Sequence, residues 1–240
     1  MTVIPQRYKG TNKRERVEEM FDSIATRYDL LNRILSGGID RSWRKKAIQQ
    51  LQTIQPQRIL DIATGTADLA IESMRLKPRE IIGIDISNKM IDIGRHKIMA
   101  KGYQGIIRLE QGDSEDLQFP DGHFDAITVA FGVRNFEHLE KGLGEMYRVL
   151  RPGGKVVILE FSQPTRFPVK QVYNFYSFKV MPKIGQLISS ERSAYEYLPE
   201  SVSVFPYGKK FLDILTHTGF RDTKCQPLTF GIASIYTATK

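Results

Sequence analysis

The chain has 240 residues, 41% of them hydrophobic, which is enough for one sizeable core and excludes a disordered or fibrous protein. Its formal net charge of +8 fits contact with an acidic ligand, nucleic acid or anionic lipid, or simply a solvated basic surface. The longest apolar runs are far short of a membrane span, and the first residues lack the apolar stretch of a signal peptide. A lone cysteine excludes an internal disulfide. We therefore expect a cytoplasmic protein.

Residues 1–55 are predicted to form a helical cap. Apolar residues recur at helical spacing from 17 to 35, the Ser-Gly-Gly sequence at 36–38 interrupts them, and residues 43–51 resume the pattern. Two helices joined by a glycine turn are therefore expected before the first strand.

Residues 56–161 alternate short apolar strands with helical segments. The expected strands read RILDIA, EIIGIDI, IIRLEQGD, FDAITVAFG and KVVILEF, and helices are predicted between most of them, one with Ser87 as its N-cap. The sequence RPGG at 151–154 is predicted to be the turn before the last of these strands. This rhythm indicates a doubly wound α/β fold, in which a mostly parallel sheet has helices on both faces.

The remainder of the chain interrupts this rhythm and then resumes it. Residues 162–205 are rich in aromatic residues and proline, and we expect them to form a lid inserted into the fold. Residues 206–240 predict one helix, ended by Gly219, and two strands that form an antiparallel edge because no helical run separates them. We therefore interpret residues 1–240 as a single domain made of the cap, the core, the lid and this last helix with its edge strands.

Three acids each follow a predicted strand: Asp61, Asp85 and Asp113. In an open parallel sheet, ligands bind beyond the carboxyl ends of the strands. Asp85 ends the second strand, where a carboxylate can accept hydrogen bonds from both ribose hydroxyls of an adenosine, and Asp113 is placed to reach the adenine edge. One such acid is a solvated cap about as often as a ligand contact, but three in register favour a ligand that contains adenosine.

The sequence DIATGTADLA, after the first strand, discriminates between adenosine ligands. A dinucleotide site needs G-x-G-x-x-G so that a pyrophosphate can rest on the helix N-terminus, whereas here only Gly65 stands among Ala63 and Ala67. Asp61 and Asp68 flank the loop, where they repel a pyrophosphate and attract the sulfonium and ammonium groups of S-adenosyl-L-methionine. The structural alternative is a tight strand-to-helix turn with Asp68 on the helix dipole. We expect the cofactor to contact Asp61, Gly65, Thr66, Asp85, Asp113, Ser114 and Ala130.

The residues after the fourth predicted strand, VAFGVRNFEH, bear on the methyl acceptor. They lack the Asn/Asp-Pro-Pro-aromatic sequence typical of amino methylases that act on nucleic acid. Methylation of a pyrimidine carbon needs a cysteine nucleophile, but Cys225 lies in a late edge strand, away from the strand ends. The four histidines are scattered along the chain, so we expect no metal.

The chain resembles the ubiquinone/menaquinone biosynthesis C-methyltransferase family in four stretches: FDSIATRYDLLNRILSGGIDRSWR, GDSEDLQFPDGHFDAITVAFGVRN, EMYRVLRPGGKVVILEFS and YEYLPESVSVFP. The resemblance runs from about Val17 to the C-terminus, and FGVRN and the N-terminal stretch are its most specific parts. It implies the seven-stranded sheet of class I S-adenosylmethionine-dependent methyltransferases and methyl transfer to a ring carbon of a polyprenylated quinol. Asp40 and the ending SIYTATK are most similar to members that act on demethylmenaquinol alone.

The chain departs from the family pattern at two positions. Ala67 stands where the family loop usually has a second glycine, and its methyl group is expected to tighten the space by the methionine moiety or to favour the helix start. Asp40 stands where many members have histidine, so the general base is either Asp40 or a residue elsewhere.

Three residues are candidates for catalysis: Arg134, Asn135 and Tyr28. A ring carbon is a poor nucleophile until the neighbouring hydroxyl ionises, and Arg134, a permanent cation at a strand end, would lower the pKa of that hydroxyl. Asn135 could hydrogen-bond the same oxygen or a bound water, and Tyr28, which matches a family active-site position, could orient that water. The structural alternatives are a surface salt bridge of Arg134 with Glu137 or Glu140, and core packing of Tyr28.

The resemblance implies a polyprenylated demethylmenaquinol as substrate and transient contact with the membrane surface that holds it, so the protein would be peripheral at the inner face of the membrane. A benzoquinol of the ubiquinone pathway is the alternative substrate. No nucleic acid is expected, although an RNA methyltransferase or RNA-binding protein would also explain the charge. A non-catalytic cofactor-binding protein is a further alternative, and the oligomeric state stays open, with a homodimer among the arrangements that it allows.

Overall fold

The computed structural model describes residues 3–5, 8–180 and 192–240, and residues 181–191 of the predicted lid lie outside this part. The strands are β1 (Arg58–Ile62), β2 (Glu80–Asp85), β3 (Ile107–Gln111), β4 (Phe124–Ala130), β5 (Leu150–Phe161), β6 (Arg221–Leu228) and β7 (Ala233–Thr239). The helices are α1 (Lys13–Leu35), α2 (Asp40–Gln49), α3 (Asp68–Ser73), α4 (Asn88–Ala100), α5 (Leu139–Val149), α6 (Val169–Phe175), α7 (Arg192–Val204) and α8 (Lys209–His217).

The seven strands form one sheet in the order β3-β2-β1-β4-β5-β7-β6. The first five strands are parallel, and β7 is antiparallel to both β5 and β6. The predicted doubly wound, mostly parallel sheet with an antiparallel edge is thereby confirmed. The strand order reverses between β1 and β4, and a crevice for ligands is expected beyond their carboxyl ends.

The helix boundaries follow from capping residues in the sequence. The side chain of Asn12 accepts a hydrogen bond from the backbone N–H of Glu15, which starts α1 four residues before the predicted apolar stripe. The side chain of Ser87 accepts the backbone N–H of Met90, which confirms its predicted role as the N-cap of α4. Both caps fix where the two helices that flank the crevice begin.

The predicted turn at 151–154 is wrong in detail, because these residues form a bulge inside β5. Phe124 pairs with Leu150 and Ala126 with Lys155, so β5 has extra residues between the two pairs. Gly153 has a φ of 73°, a left-handed conformation that glycine adopts without strain. The strand therefore begins directly at the end of α5.

The core lies on both faces of the sheet, and a smaller apolar cluster attaches α1 to it. In this cluster Val17, Met20 and Ile24 of α1 pack with Met90 of α4 and Tyr197 of α7. Complete burial of side chains of this size stabilises a fold by about 1.5–3 kcal/mol each. The cluster holds α1 beside the carboxyl ends of the strands. Within the part of the chain that the structure covers, no helix combines the length and apolar character needed to cross a bilayer.

Candidate active site

A first cavity of about 710 Å³ opens at the carboxyl ends of β1, β2 and β4. Its walls come from the loops that follow these strands and from α1, which contributes Arg14, Val17, Phe21 and Tyr28. The cavity thus occupies the crevice that the strand order predicts. Five of the predicted cofactor residues line it: Gly65, Asp85, Asp113, Ser114 and Ala130.

Asp85 is held rigidly at the end of β2. One carboxylate oxygen accepts the backbone N–H of Gly65 at 2.8 Å, and the other accepts that of Ser87 at 2.9 Å. Burial raises the pKa of Asp85 to about 6, and the hydrogen bonds from the Ser87, Gly65 and Ile86 backbones oppose this shift. The carboxylate is ionised at neutral pH, and each oxygen keeps acceptor capacity for a ribose hydroxyl.

Asp113 is also at the cavity wall, but α1 already engages it. Arg14 lies 2.9 Å from one Asp113 oxygen, and the backbone N–H of Glu115 donates to the other at 2.9 Å. The Arg14 side chain is half exposed, so this ion pair is weak and can rearrange. Contact of Asp113 with an adenine edge remains a prediction.

Asp61 and Thr66 do not line the first cavity, and their direct contact with the cofactor remains a prediction. Both carboxylate oxygens of Asp61 accept hydroxyl hydrogen bonds of 2.6 Å, one from Thr64 and one from Thr128 of β4. The hydroxyl of Thr66 donates to Asp29 of α1 at 2.6 Å. Burial raises the pKa of Asp61 to about 6 against these hydrogen bonds. The two residues support the loop from beneath, because their polar atoms are taken up by partners distant in sequence.

The loop after β1 turns through left-handed backbone conformations at residues that are not all glycine. The φ angles are 51° at Ala63, 54° at Gly65 and 65° at Ala67. A left-handed conformation costs a residue with a Cβ atom about 1–2 kcal/mol. Ala67 precedes the first residue of α3, so the expectation that alanine favours the helix start is wrong at this position. Its side chain is fully buried and does not line the first cavity.

Facing elements leave room for the side chains of this loop. A Cβ atom placed on Gly132 would lie 2.5 Å from the Ala63 Cβ, and one on Gly94 would lie 3.2 Å from the Ala67 Cβ. Gly83 has the same relation to Thr64, whose hydroxyl oxygen would be 2.8 Å from an added Cβ. The side chains of the loop are thus accommodated by glycines on the elements that face them, after β4, in α4 and in β2.

A second, larger cavity of about 1390 Å³ adjoins the first. Phe21, Tyr28 and Phe131 line both, so the two cavities meet at these aromatic side chains. Its wall is mostly apolar and comes from α1, α2, the ends of β4 and β5, α6 and α7. The predicted cap and the described parts of the predicted lid therefore enclose this space together.

Arg134 lines the second cavity and is buried beside Glu160 rather than paired at the surface with Glu137 or Glu140. Its Nη1 lies 2.8 Å from a Glu160 oxygen and also donates to the Phe131 carbonyl, and the exposed side-chain fractions of Arg134 and Glu160 are 7% and 0%. The guanidinium stacks 5.4 Å from the ring centre of Phe161. Its Nε is buried without a hydrogen-bond partner among the described residues.

Asn135 and Tyr28 lie where the two cavities meet. The hydroxyl of Tyr197 donates to the side-chain oxygen of Asn135 at 3.1 Å, which orients the amide in the first cavity. Burial raises the pKa of Tyr28, and it raises the pKa of Tyr197 to about 12. Both phenols are therefore neutral at physiological pH and act as hydrogen-bonding groups, not as phenolate bases.

Sequence reasoning missed several residues of the site. Glu160 ends its strand just as the three predicted acids do, so the same rule applied to β5 would have found it. Phe131 was missed although it directly follows β4. Arg14, Arg44 and Tyr197 carry no local signal, since only the packing of α1, α2 and α7 brings them to the cavities.

Metal and thiolate chemistry find no support at either cavity. Among the described residues, no group of three or more His, Cys, Asp or Glu side chains is arranged to hold a metal ion. Cys225 lies in β6 and lines neither cavity. Burial raises the pKa of its thiol, which lowers its reactivity.

Solved structures with this fold define the class of protein. A S-adenosylmethionine-dependent methyltransferase of Thermotoga maritima matches 93% of this chain and 99% of its own, with a TM-score of 0.66 and 18% identity. Phosphoethanolamine N-methyltransferase 2 of Haemonchus contortus, solved with S-adenosyl-L-methionine, matches 77% of this chain and 48% of its own, with a TM-score of 0.56 and 16% identity. The acids at the first cavity, and the loop that lacks the glycine pattern of a pyrophosphate site, agree with this fold. The class of protein is therefore a S-adenosylmethionine-dependent methyltransferase.

Relatives in sequence identify the family. The model of the ubiE/COQ5 methyltransferase family matches residues 9–240, and the chain belongs to this family. Demethylmenaquinone methyltransferase of Bacteroides fragilis is 51% identical over 229 residues, covering 95% of this chain and 94% of that protein. The ubiquinone/menaquinone biosynthesis C-methyltransferase UbiE of Geotalea daltonii is 49% identical over 235 residues, covering 97% and 100%.

Proposed function

We propose that this protein transfers the methyl group of S-adenosyl-L-methionine to a ring carbon of a polyprenylated demethylmenaquinol, giving menaquinol. The observation that carries the proposal is the junction, at Phe21, Tyr28 and Phe131, of a cavity that has strand-end acids in its wall with a larger, mostly apolar cavity. The names of the relatives, demethylmenaquinone methyltransferase and UbiE, support the same reaction.

The first cavity supplies the groups that would hold the cofactor. Asp85 offers acceptors to the ribose hydroxyls, and Gly65 brings backbone close to the ligand without a side chain. S-adenosylmethionine held there would supply an electrophilic methyl group: the ring carbon would gain a C–C bond as the S–C bond broke, and its hydrogen would leave as a proton.

The second cavity activates the ring. Ionising a phenol of pKa about 10 at pH 7 costs about 4 kcal/mol, and the guanidinium of Arg134, a permanent cation on the wall of this cavity, offsets part of this by stabilising the developing oxyanion. Glu160 holds the guanidinium in place at the wall of the cavity. Asn135 and Tyr28 hold the water that accepts the hydroxyl proton, and the ordered walls keep ring and methyl donor in reactive proximity.

The direct test is incubation of the protein with labelled cofactor and a short-tailed demethylated naphthoquinol under anaerobic reducing conditions. We expect a product heavier by one methylene unit, with the label on a ring carbon. Label on oxygen, or cofactor binding without turnover, would contradict the proposal, and the second result would favour a non-catalytic cofactor-binding protein.

A benzoquinol of the ubiquinone pathway is a second candidate substrate, because the relative from Geotalea daltonii is named for both pathways. The second cavity is wide enough for either a single ring or two fused rings. Kinetic measurements must therefore distinguish the two substrates. Parallel assays with naphthoquinol and benzoquinol of equal tail length compare the two kcat/KM values, and we expect the naphthoquinol to be preferred.

We further propose transient contact with the inner membrane face through the surface beside the second cavity. Tyr173 and Tyr176 line this cavity, whereas Val172, Phe175 and Phe178 of the same segment are exposed by 65%, 65% and 50%. The sequence from 162 to 180 contains three basic residues and no acidic one. Exposed aromatic residues among basic side chains are typical of segments that lie in the headgroup region.

Sedimentation with vesicles tests this contact. We expect binding to phosphatidylglycerol vesicles that weakens with salt, and a clear loss in a Val172→Ser/Phe175→Ser variant. Met99→Ser is the matched control, since Met99 is 61% exposed but lies on α4 and lines neither cavity. Equal binding by all three proteins would contradict the proposed surface.

A further inference from the structure

The second cavity has two charged poles in a mostly apolar wall. Its charged lining residues within the described chain are Arg134, Asp40 and Arg44. Arg134 belongs to the pole already described, and Asp40 with Arg44 forms another on α2. The proposed reaction assigns a role to the pole at Arg134 and no role to the pole formed by Asp40 and Arg44.

The Asp40–Arg44 pair is buried, with exposed fractions of 4% and 7%. Arg44 Nη1 pairs with one Asp40 oxygen, and the hydroxyl of Ser36 donates to the other at 2.9 Å. The Arg44 guanidinium lies 5.8 Å from the ring centre of Phe131. Phe131 in turn stacks on Phe161 at 4.4 Å between centroids, and Phe161 is the ring beside Arg134. The two poles therefore flank one aromatic stack.

A buried ion pair is costly unless further hydrogen bonds use its remaining lone pairs and protons. Each carboxylate oxygen of Asp40 can accept another hydrogen bond beyond the one that the structure shows. The ion pairs and hydrogen bonds of Arg44 to described residues all use Nη1, so other guanidinium donors remain for a ligand. A single hydroxyl can use both, since it donates to a carboxylate and accepts from a guanidinium.

The ring of the proposed substrate has two such hydroxyls, para to each other. One adjoins the carbon that takes the methyl group, and the other adjoins the carbon that bears the tail. Only the first can push electron density onto the reacting carbon, so the second is available for recognition without taking part in the chemistry.

We propose that Asp40 and Arg44 bind the hydroxyl next to the tail, while Arg134 binds the hydroxyl next to the reacting carbon. This inference rests on the proposed function and adds a specificity site to it. Asp40 is an acceptor, so it binds the O–H of the reduced ring and disfavours the carbonyl of the oxidised quinone. The pair thus selects the redox state that can be methylated.

Kinetics with two short-tailed substrates test the proposal: the demethylated naphthoquinol and the analogue that lacks only the hydroxyl next to the tail. We expect the native protein to lose about 10- to 100-fold in kcat/KM on the analogue, mostly in KM, because a site built for a hydroxyl is left unpaired. Asp40→Asn should reduce the difference between the two substrates to about threefold or less. If the native protein uses both equally, the inference fails although the proposed function stands.

A second readout separates recognition from a structural role of the pair. The oxidised, short-tailed demethylmenaquinone should inhibit Asp40→Asn more tightly than the native protein, because the new amide N–H can donate to the carbonyl. Ser36→Ala is the matched control, since it removes a hydrogen bond to Asp40 but keeps the carboxylate, and it should retain the preference for the dihydroxy ring. An Asp40→Asn variant that loses activity on both substrates by the same factor, with no gain in quinone inhibition, would overturn the inference. No turnover of either ring by the native protein would instead refute the proposed function.

Discussion

Asp29 of α1 accepts a 2.6 Å hydrogen bond from the hydroxyl of Thr66, and the contact joins the N-terminal helix to the loop after β1. Lys97 of α4 reinforces it at 2.9 Å from the other Asp29 oxygen. A second contact of the same kind links Asp22 of α1 to the hydroxyl of Ser87 at 2.6 Å. Because α1 forms one wall of both cavities, these contacts hold the helix beside the two cavities.

Asp29→Asn should loosen that hold. Loss of a partly exposed, charge-assisted contact is worth about 1 kcal/mol, so we expect the cofactor to dissociate about fivefold faster, with little change in thermal stability. Stopped-flow displacement of the cofactor measures the rate. Asp92→Asn is the control, because the Asp92–Arg95 pair is an exposed contact within α4. An unchanged rate in Asp29→Asn would show that α1 does not gate release.

Cofactor affinity should weaken in mild acid. The pKa of Asp85 is raised to about 6, so the carboxylate is ionised at pH 7 and mostly protonated at pH 5. Ribose hydroxyls donate to the ionised form, and we therefore expect binding to be about tenfold weaker at pH 5 than at pH 7. Calorimetry across this range measures the effect. In Asp85→Asn the pH dependence of cofactor affinity should vanish. A dependence that persists would indicate the titration of Asp61, whose pKa is also about 6.

Arg134→Lys should lower kcat by about 100-fold or more and leave cofactor affinity within about twofold, because lysine keeps the charge beside Glu160 but loses the planar guanidinium at the cavity wall. Single-turnover kinetics and calorimetry measure the two quantities. Arg148→Lys is the matched control, since Arg148 also pairs with carboxylates but lines neither cavity. It should lose stability and keep kcat. A fall in cofactor affinity in Arg134→Lys would contradict the assigned role.

Gly132→Ala should destabilise the fold by about 2 kcal/mol, because its Cβ would lie 2.5 Å from the Ala63 Cβ. Adding Ala63→Gly removes that collision, so the double variant should recover about 1 kcal/mol or more. Urea unfolding of the four proteins completes the cycle. Gly144→Ala is the control, because Gly144 lies in α5 and an added Cβ would meet no atom within 4 Å. This variant should have unchanged or increased stability. Strict additivity would show that the two residues do not compete for space.

The strand rhythm predicted the sheet and its ligand crevice because both follow from local periodicity. Asp85, Gly65 and Asp113 were correctly placed at the first cavity by their position at strand ends. Asp61 and Thr66 do not line that cavity, since their polar atoms bond to Thr128 and Asp29, which no local pattern connects to the loop.

The catalytic candidates show the same division. Arg134 was singled out by its strand-end position, yet its partner is Glu160, twenty-six residues further along the chain, and not an acid on the next helix. The pole formed by Asp40 and Arg44 was visible only as an unusual acid before Trp43. Its burial and its place on the cavity wall depend on how α2 packs against the sheet, which the sequence pattern does not specify.

The paired arrangement of Ala63 with Gly132 and Ala67 with Gly94 bears on protein engineering. Grafting this ten-residue segment onto another methyltransferase would place two alanine methyl groups in a scaffold adapted to glycines in the loop. The methyl groups would collide with the facing residues unless glycines were introduced there as well. Loop and scaffold must therefore be exchanged as one unit, even though their residues are far apart along the chain.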